Sequence, residues 1–393
     1  MPSEPKNKLL RELEAELQAL EARSQRRSLI EIHGINLCSN DYLGLSRSPL
    51  LKDEVIAAIR NADRVGSTGS RLLSGHAGIW SEVEAEFAQY AGTEAALFFG
   101  SGYSANLGLI SSLISRDDVV FSDTLNHASI IDGIRLSGAR KFIYPHLDLN
   151  ALEAVLRSHA GERCRKIIVT ETVFSMDGDV APVAHIQSLA EKYGAELIVD
   201  EAHATGVHGP AGRGIAAQAG IAEKVFAVVH TCGKALASAG AFVCGSKILK
   251  EHLINRARTF IFSTALPPYL AGQIRAALRI SLLMNQERAA LQMNSANLES
   301  AMRAMGLDTA GSTSQIVPAV IGGNEDALGA SEFLRREGFA VRAIRPPTVA
   351  EGTARLRFSL TAAISSTDVA RLETVLQNWR ASLPQTHALA GRA

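Results

Sequence analysis

Residues 225–235 read VFAVVHTCGKA. The apolar run ends at Thr231, and Lys234 follows three residues later. The run has the length and the β-branched content of a buried strand, and small residues follow the lysine. Open α/β sheets bind their ligands at the carboxyl ends of their strands. A lysine held there in a partly desolvated pocket has a lowered pKa and can form a Schiff base with a carbonyl compound. The segment therefore predicts a reactive amine, although a lysine taken alone is ordinarily a solvated surface residue.

The neighbouring sequence predicts an α/β fold with a mostly parallel central sheet. Residues 197–199 form a second apolar strand, which ends in Asp200 and is followed by His203. Further short apolar runs alternate with helical stretches, at residues 95–99, 118–121, 166–170 and 226–229. This alternation is typical of parallel strands covered by helices. We therefore expect an acid, an imidazole and an amine at one edge of the sheet.

Three regions are predicted along the chain. Leucines at helical spacing indicate an amphipathic helix to about Arg27, within an N-terminal helix and arm at residues 1–45. Residues 46–281 are expected to form a large α/β domain that contains Lys234, Asp200 and the ligand-binding edge of the sheet. From about Leu282 the pattern changes to a long helix, strands near 315–321, 340–344 and 355–360, a helix near 327–337 and a closing helix. Residues 282–393 are therefore expected to form a smaller α+β domain.

Composition favours a small-molecule substrate. Of the 393 residues 47% are hydrophobic, and 40 basic residues balance 40 acidic ones, so no net field would attract nucleic acid or an anionic membrane. The four cysteines form no CxxC pair and no zinc-type spacing with histidine, which fits a reducing compartment and gives no reason to expect a metal. Neither a signal peptide nor a membrane span is evident, so a cytoplasmic location is expected.

A glycine-rich turn follows the strand at residues 95–99. Residues 100–106 read GSGYSAN and open a helix, whose free backbone N–H groups suit a phosphate. The spacing also fits a dinucleotide-binding turn, with Asp123 near the place of a ribose-binding acid. Against that alternative, Tyr103 is bulky where a pyrophosphate would approach, and a nicotinamide enzyme would leave Lys234 without a role.

Lysine, aspartate and histidine together fit pyridoxal phosphate chemistry. This cofactor withdraws electrons only if its ring nitrogen stays protonated, and Asp200 is placed to favour that state. His203 could reach the ring oxygen on the other side, and His127 could stack on the ring or move protons. Ser175 follows another strand and could contact the cofactor. The alternatives are a helix cap for Asp200, a structural donor for His127 and a simple turn residue for Ser175.

The motifs taken together resemble the α-oxoamine synthases, a family of fold-type I pyridoxal phosphate enzymes. The resemblance covers nearly the whole chain, and its motifs are residues 39–45 (SNDYLGL), 66–71 (GSTGSR), 100–103 (GSGY), 126–129 (NHAS), 173–179 (VFSMDGD), 200–206 (DEAHATG) and 231–234 (TCGK). Members of this family condense an amino acid with an acyl thioester and release carbon dioxide. The resemblance implies pyridoxal 5'-phosphate as the cofactor and a homodimer with shared active sites.

The resemblance also implies roles for individual residues. Lys234 would carry the cofactor and act as the base, with Asp200 at the pyridine nitrogen, His203 at the ring oxygen and His127 on the ring face. The other implied cofactor contacts are Gly102, Tyr103, Ser175 and Thr231, with Ser263 and Thr264 reaching the phosphate of a neighbouring subunit. The implied substrate contacts are Asn40, His127, Arg345, Thr348 and an N-terminal arginine.

The region around Arg345 indicates which substrate is used. Residues 343–349 (AIRPPTV) and 352–357 (GTARLR) look most like the members of biotin synthesis, which join L-alanine to a pimeloyl thioester of coenzyme A or acyl carrier protein. Arg345 would then bind the carboxylate of alanine, which a planar bidentate donor suits. For the N-terminal arginine we favour Arg23, while Arg26 and Arg27 remain open. A glycine-using member of the family, a nicotinamide-dependent oxidoreductase and a non-catalytic module of the same fold are the alternatives.

Overall fold

The computed structural model of the protein describes residues 7–383. Its helices are α1 Lys8–Ala22, α2 Pro49–Arg60, α3 Gly78–Ala91, α4 Gly102–Leu113, α5 Ala128–Ser137, α6 Leu149–Ser158, α7 Val183–Tyr193, α8 Ile215–Gln218, α9 Lys247–Arg256, α10 Arg258–Ile261, α11 Tyr269–Leu283, α12 Asn285–Ala304, α13 Asn324–Arg336 and α14 Ser366–Ser382. Its strands are β1 Ile35–Asn36, β2 Ala95–Phe99, β3 Val119–Asp123, β4 Arg140–Tyr144, β5 Lys166–Glu171, β6 Ala195–Asp200, β7 Ala227–Thr231, β8 Ala241–Gly245, β9 Ile316–Gly322, β10 Phe339–Ala340, β11 Ala343–Ile344 and β12 Ala354–Ser359.

A seven-stranded sheet forms the centre, in the order β2-β8-β7-β6-β5-β3-β4. Strands β3 to β7 pair in parallel, whereas β8 runs antiparallel to both of its neighbours, β7 and β2. Since β8 reverses direction between them, β2 is parallel to β7 and ends at the same edge. The predicted α/β fold with a mostly parallel sheet is confirmed, and β2, β3, β5, β6 and β7 lie where the apolar runs predicted strands.

Both faces of the sheet are covered, which explains why its central strands are apolar throughout. Every residue of β2, β3, β5 and β7 is buried. Successive side chains alternate between the faces, so that Phe121 packs into a core with Phe87 and Phe242, while Val120 packs into a second core beneath α4 and α5.

The C-terminal part contains a three-stranded antiparallel sheet, in the order β11-β12-β9. Two elements differ from the sequence-based expectation. The single strand expected at 340–344 is split into β10 and β11, because β10 pairs with β1 of the N-terminal arm while β11 pairs with β12. The helix expected near 327–337 is α13, which begins three residues earlier at Asn324.

The N-terminal helix is shorter than expected, since α1 ends at Ala22 and Ser24 has a left-handed backbone with φ of 54°. The expectation of a helix to about Arg27 was therefore wrong. Leu10, Leu13 and Leu17 of its apolar stripe are exposed in this single chain. Among residues 7–383, the helices lack the combination of length and apolar character that crossing a membrane requires.

Candidate active site

The histidine, aspartate and lysine side chains that the sequence analysis singled out lie at one edge of the central sheet. His127 caps α5 after β3, Asp200 ends β6, and Thr231 ends β7 three residues before Lys234. These strands are parallel neighbours or separated only by β5, so their carboxyl ends meet. Lys234, His203 and Asp200 are thus brought together, as the sequence predicted.

Lys234 is half-buried, and its Nζ lies 2.8 Å from Nε2 of His203. Burial lowers the pKa of Lys234 to about 8, although the carboxylates of Asp200 and Glu171 act in the opposite direction. A lysine with this pKa is partly unprotonated near neutral pH, as a nucleophilic or basic amine requires.

His203 is buried and has a polar partner on each ring nitrogen. Its Nδ1 lies 2.6 Å from the hydroxyl of Tyr42, opposite the contact of Nε2 with Lys234. Burial and the positive charges of Lys234 and Arg357 hold the pKa of His203 well below its usual value. The imidazole is therefore neutral and carries a single ring proton.

Asp200 is buried at the end of β6, and each carboxylate oxygen accepts a hydrogen bond. Asn106 Nδ2 donates to Oδ2 at 2.6 Å, and the backbone N–H of Ala202 donates to Oδ1 at 2.8 Å. The same Asn106 nitrogen reaches Ser129 Oγ at 2.9 Å, which lies 2.8 Å from His127 Nδ1. A buried network thus joins Asp200 to His127. The bond from Ala202 closes a turn and no helix begins at residues 201–206, so the helix-cap alternative for Asp200 was wrong.

Glu171, at the end of β5 and in register with Asp200, was missed by the sequence reasoning. It is 2% exposed, and its Oε1 has no hydrogen-bond partner among the described residues. Burial and the charge of Asp200 raise the pKa of Glu171 to about 8. The signal available in the sequence was an acid directly after the apolar run 166–170.

The glycine-rich turn joins β2 to α4, as predicted. Ser101 caps α4 in a reciprocal arrangement with Ser104, and Gly102 is the first helical residue. A Cβ at Gly102 would lie 2.7 Å from Cγ2 of Thr231, so only glycine allows this close approach. The ring of Tyr103 lies edge-on to that of His127, with centroids 6.3 Å apart, and its hydroxyl donates to Asp132.

The same geometry speaks against a dinucleotide site. β2 is the edge strand of the sheet, whereas dinucleotides bind where the strand order reverses inside it. Asp123 is buried and accepts hydrogen bonds from the backbone N–H groups of Leu125 and Leu147. It also contacts His146, so it is not free to bind a ribose.

Replacing Gly102 with alanine is expected to weaken binding of a phosphate-bearing cofactor by about tenfold. The new Cβ would push α4 away from Thr231 and move the N–H groups of its first turn. Gly100→Ala is the matched control, because a Cβ at Gly100 meets no atom within 4 Å. A titration of the apoprotein with pyridoxal phosphate, followed by absorbance, measures both. Equal affinities for the two variants would contradict the expectation.

Ser175 lies on a turn beside the C-terminal sheet. Arg357 Nε donates to its backbone oxygen at 2.5 Å. Arg355, two residues earlier on β12, forms a buried ion pair with Asp177 of the same turn. Since alternate residues of a strand share a face, both arginines of β12 point toward the turn that carries Ser175.

Arg357 is a second residue that the sequence reasoning left without a role. It is 7% exposed, and its Nη1 donates to Asn40 Oδ1 at 3.2 Å. It is close enough to Lys234 and His203 to lower the pKa of both side chains. Asn40, predicted to contact substrate, therefore contacts an arginine whose charge acts on the reactive lysine. The sequence signal was the pair of arginines within an apolar strand.

Arg345, unlike Arg357, lies against the N-terminal arm. Its guanidinium donates to the backbone oxygens of Ser24 and Arg26 in the N-terminal arm. Arg27 in turn donates to Thr348 Oγ1 at 2.9 Å. Arg345 and Thr348 thus lie together with the arm. Their polar contacts among the described residues include no bond to Lys234 or His203.

The three N-terminal arginines differ in their contacts. Arg23 Nε donates to the oxygen of Ala19 in its own helix, and Arg26 contacts Glu21 at 3.4 Å. Only Arg27 among the three donates a side-chain bond to a predicted substrate residue, Thr348, within the described chain.

Ser263 and Thr264 are exposed and lie near the glycine-rich turn of the same chain. They line a cavity of about 70 Å³ together with Gly100 and Ser104. Thr264 also forms an antiparallel bridge with Ser70, which fixes this segment.

Three comparisons with known proteins agree with this geometry. The model of the family "Aminotransferase class I and II" matches residues 32–376. An 8-amino-7-oxononanoate synthase of Geobacter sulfurreducens is 46% identical over 380 residues, which cover 92% of this chain and 96% of that protein. A solved 8-amino-7-oxononanoate synthase of Francisella tularensis has a TM-score of 0.75 at 30% identity and covers 88% of this chain and 97% of its own. A serine palmitoyltransferase of S. paucimobilis with bound PLP and myriocin has a TM-score of 0.88 at 28% identity, covering 95% and 98%.

Proposed function

Because the chain belongs to the aminotransferase class I and II family, we propose that it is a pyridoxal phosphate-dependent acyltransferase of biotin biosynthesis. It condenses L-alanine with a pimeloyl thioester and releases carbon dioxide and the free thiol of the acyl carrier, giving 8-amino-7-oxononanoate. The relatives carrying that name, at about 46% identity over nearly the whole chain, support this reaction. The observation that carries the proposal is the amine of Lys234, 2.8 Å from His203 and at the same sheet edge as the buried carboxylate of Asp200.

The residues at this edge fit pyridoxal phosphate. Asp200 offers a buried carboxylate for the protonated ring nitrogen, and the neutral imidazole of His203 can bond the ring oxygen. The first turn of α4, kept close to Thr231 by Gly102, offers N–H groups for the phosphate. Tyr103, His127 and Ser175 complete the proposed set. When bound, the cofactor withdraws electrons from the α-carbon of an amino acid, so that a bond to hydrogen or to carboxylate can break there.

Lys234 has two tasks in this proposal. Its amine would hold the aldehyde of the cofactor, and as a free amine it would remove the α-proton of alanine. A pKa of about 8 leaves part of the amine unprotonated at neutral pH, yet it remains basic enough to accept a proton. His127, whose pKa is lowered by burial, lies close enough to interact electrostatically with both Asp200 and Lys234 and can move a proton on the open side of the site.

For the carboxylate of alanine we propose Arg357 rather than Arg345. Arg357 is the arginine beside Lys234 and Asn40, and its buried guanidinium suits a bidentate contact with a carboxylate. Arg345 already donates to backbone oxygens of the N-terminal arm. We propose that it orders this arm together with Arg27 and Thr348, at the side of the site where the acyl donor arrives.

We also propose a homodimer with shared active sites. Exposed apolar residues support it, namely Leu10, Leu13 and Leu17 of α1 and Phe262 beside Ser263 and Thr264. In such a dimer Ser263 and Thr264 would reach the cofactor phosphate of the partner subunit. Sedimentation of the purified protein at micromolar concentration measures the oligomeric state.

Product analysis tests the reaction. The protein with pyridoxal phosphate is incubated with L-alanine and pimeloyl thioesters of coenzyme A and of acyl carrier protein, and the products are identified by mass spectrometry. Formation of 8-amino-7-oxononanoate with carbon dioxide is expected. Preferred use of glycine with acetyl-coenzyme A would favour the alternative, 2-amino-3-oxobutyrate coenzyme A ligase. Reduction of a nicotinamide nucleotide in the absence of pyridoxal phosphate would contradict both of these synthase functions.

A further inference from the structure

Three hydrogen bonds in series connect the reactive lysine to the N-terminal arm. Lys234 Nζ lies 2.8 Å from His203 Nε2, His203 Nδ1 lies 2.6 Å from Tyr42 Oη, and Tyr42 Oη lies 3.1 Å from Asn40 Oδ1. His203 and Tyr42 are 5% and 0% exposed, so bulk water does not compete for these bonds.

The ends of the series set its direction. A protonated lysine can only donate, and an amide oxygen can only accept. While Lys234 carries its proton, Nε2 of the neutral imidazole must therefore accept. The single ring proton is then on Nδ1 and is donated to Tyr42, whose hydroxyl donates to Asn40.

The series can also run in the opposite direction. Asn40 Oδ1 accepts from Arg357 Nη1 at 3.2 Å, so it is not left without a donor when the Tyr42 hydroxyl turns away. Once Lys234 Nζ no longer donates, the hydroxyl of Tyr42 can donate to Nδ1 of His203. The ring proton then belongs on Nε2, which faces the site. A hydroxyl can make this exchange by rotation, since it is both a donor and an acceptor.

Backbone contacts hold Tyr42 in place for this purpose. The N–H of Ala362, after β12, donates to the oxygen of Tyr42 at 2.8 Å, and the N–H of Tyr42 donates to the oxygen of Asn40 at 2.8 Å. The ring is thus fixed between the C-terminal sheet and the segment 200–206, and only its hydroxyl proton is free to change direction.

We propose that Tyr42 is a positioning residue that sets the tautomer of His203. By accepting from Nδ1 it lets His203 accept from Lys234 in the free protein, and by donating to Nδ1 it lets His203 present an N–H to the cofactor. This inference rests on the proposed function for the identity of the cofactor. The hydrogen-bond series itself belongs to the free protein.

Nuclear magnetic resonance of protein labelled with ¹⁵N-histidine measures the tautomer directly. His203→Gln assigns the resonances of His203. In the free protein at pH 6.5, below the lysine pKa of about 8, the proton is expected on Nδ1. After loading with pyridoxal phosphate, it is expected on Nε2. An identical tautomer in the free and loaded wild-type protein would overturn the inference, and this measurement needs no variant at position 42.

Tyr42→Phe tests the part played by the hydroxyl. The ring and its packing are retained, but the Nδ1 proton loses its acceptor, so its resonance is expected to move upfield and its exchange with solvent to accelerate. In the loaded protein Nδ1 of His203 would lack the donor that favours a proton on Nε2, so the Kd for pyridoxal phosphate is expected to rise about tenfold. Tyr144→Phe is the matched control, because Tyr144 is 3% exposed and its hydroxyl has no partner within the described residues.

The outcomes separate this inference from the proposed function. If Tyr42→Phe leaves the His203 resonances and the Kd at wild-type values, Tyr42 has only a packing role even if the wild type forms 8-amino-7-oxononanoate. If wild-type protein binds no pyridoxal phosphate, the proposed function fails. The spectrum of the free protein still tests whether the ring proton of His203 is on Nδ1.

Discussion

Lys234→Ala is expected to lower kcat for condensation of L-alanine with a pimeloyl thioester by at least about 10⁴-fold. Under the proposed function the variant would lose both the amine that holds the cofactor and the base that removes the α-proton, and a well-placed general base alone contributes about 10²- to 10⁴-fold. Among the described residues, Glu171 and Asp200 end the neighbouring strands and His203 contacts Lys234, and none of these three carries an amine.

The measurement has two parts. Borohydride reduction of the wild type with pyridoxal phosphate, followed by peptide mapping, is expected to place the cofactor on Lys234 and to fail in the variant. Lys247→Ala is the control, since Lys247 is an exposed residue at the start of α9. Multiple turnovers by Lys234→Ala, or trapping of the cofactor on another lysine, would show that the assignment is wrong.

Arg357→Ala is expected to raise the KM for L-alanine about 100-fold. The substitution removes a buried, charge-assisted contact, and truncating one partner of such a pair costs about 2 to 5 kcal/mol. Arg357→Lys is expected to recover only part of the loss, since an ammonium cannot make the bidentate contact. Steady-state kinetics with alanine as the varied substrate measures both variants.

Arg345→Ala is the informative comparison. Its guanidinium holds the backbone of Ser24 and Arg26, so its loss should loosen the N-terminal arm and raise the KM for the thioester more than that for alanine. The reverse pattern, with alanine binding lost in Arg345→Ala and kept in Arg357→Ala, would return the carboxylate to Arg345. A general loss of folding would be recognised by a lower apparent kcat with the KM values for both substrates unchanged.

The central sheet was predictable because its strands carry local signals. β2, β5, β6 and β7 are apolar runs bounded by turn or helical residues, and sequence alone located each within two residues. Two strands were missed. β4 is an edge strand with exposed charged residues such as Arg140 and Lys141, and β8 is a run of five residues that follows small residues without a clear turn. The exposed residues of β4 and the lack of a turn signal before β8 leave weak local patterns.

The site divides in the same way. Lys234, Asp200 and His203 could be predicted at one edge because each lies at the end of a strand or within three residues of it, and parallel strands align their carboxyl ends. Tyr42 lies in a motif that was recognised, yet its contact with His203 spans 161 residues of sequence. Glu171 was not singled out, since an acid after a strand is common and only burial beside Asp200 makes it unusual.

The sequence by itself predicted the fold class, because periodicity places strands and parallel strands bring their ends to one edge, and its motifs predicted the chemistry through their resemblance to a known family. Only the tertiary structure decided which arginine lies beside Lys234. Arg345 and Arg357 are twelve residues apart in similar surroundings of the sequence, and what separates them is the direction of their side chains: one toward backbone oxygens of the arm, the other toward Asn40 and Ser175. Lys234 behaves as a reactive amine for the same reason, since its pKa of about 8 comes from burial by segments far away in the chain.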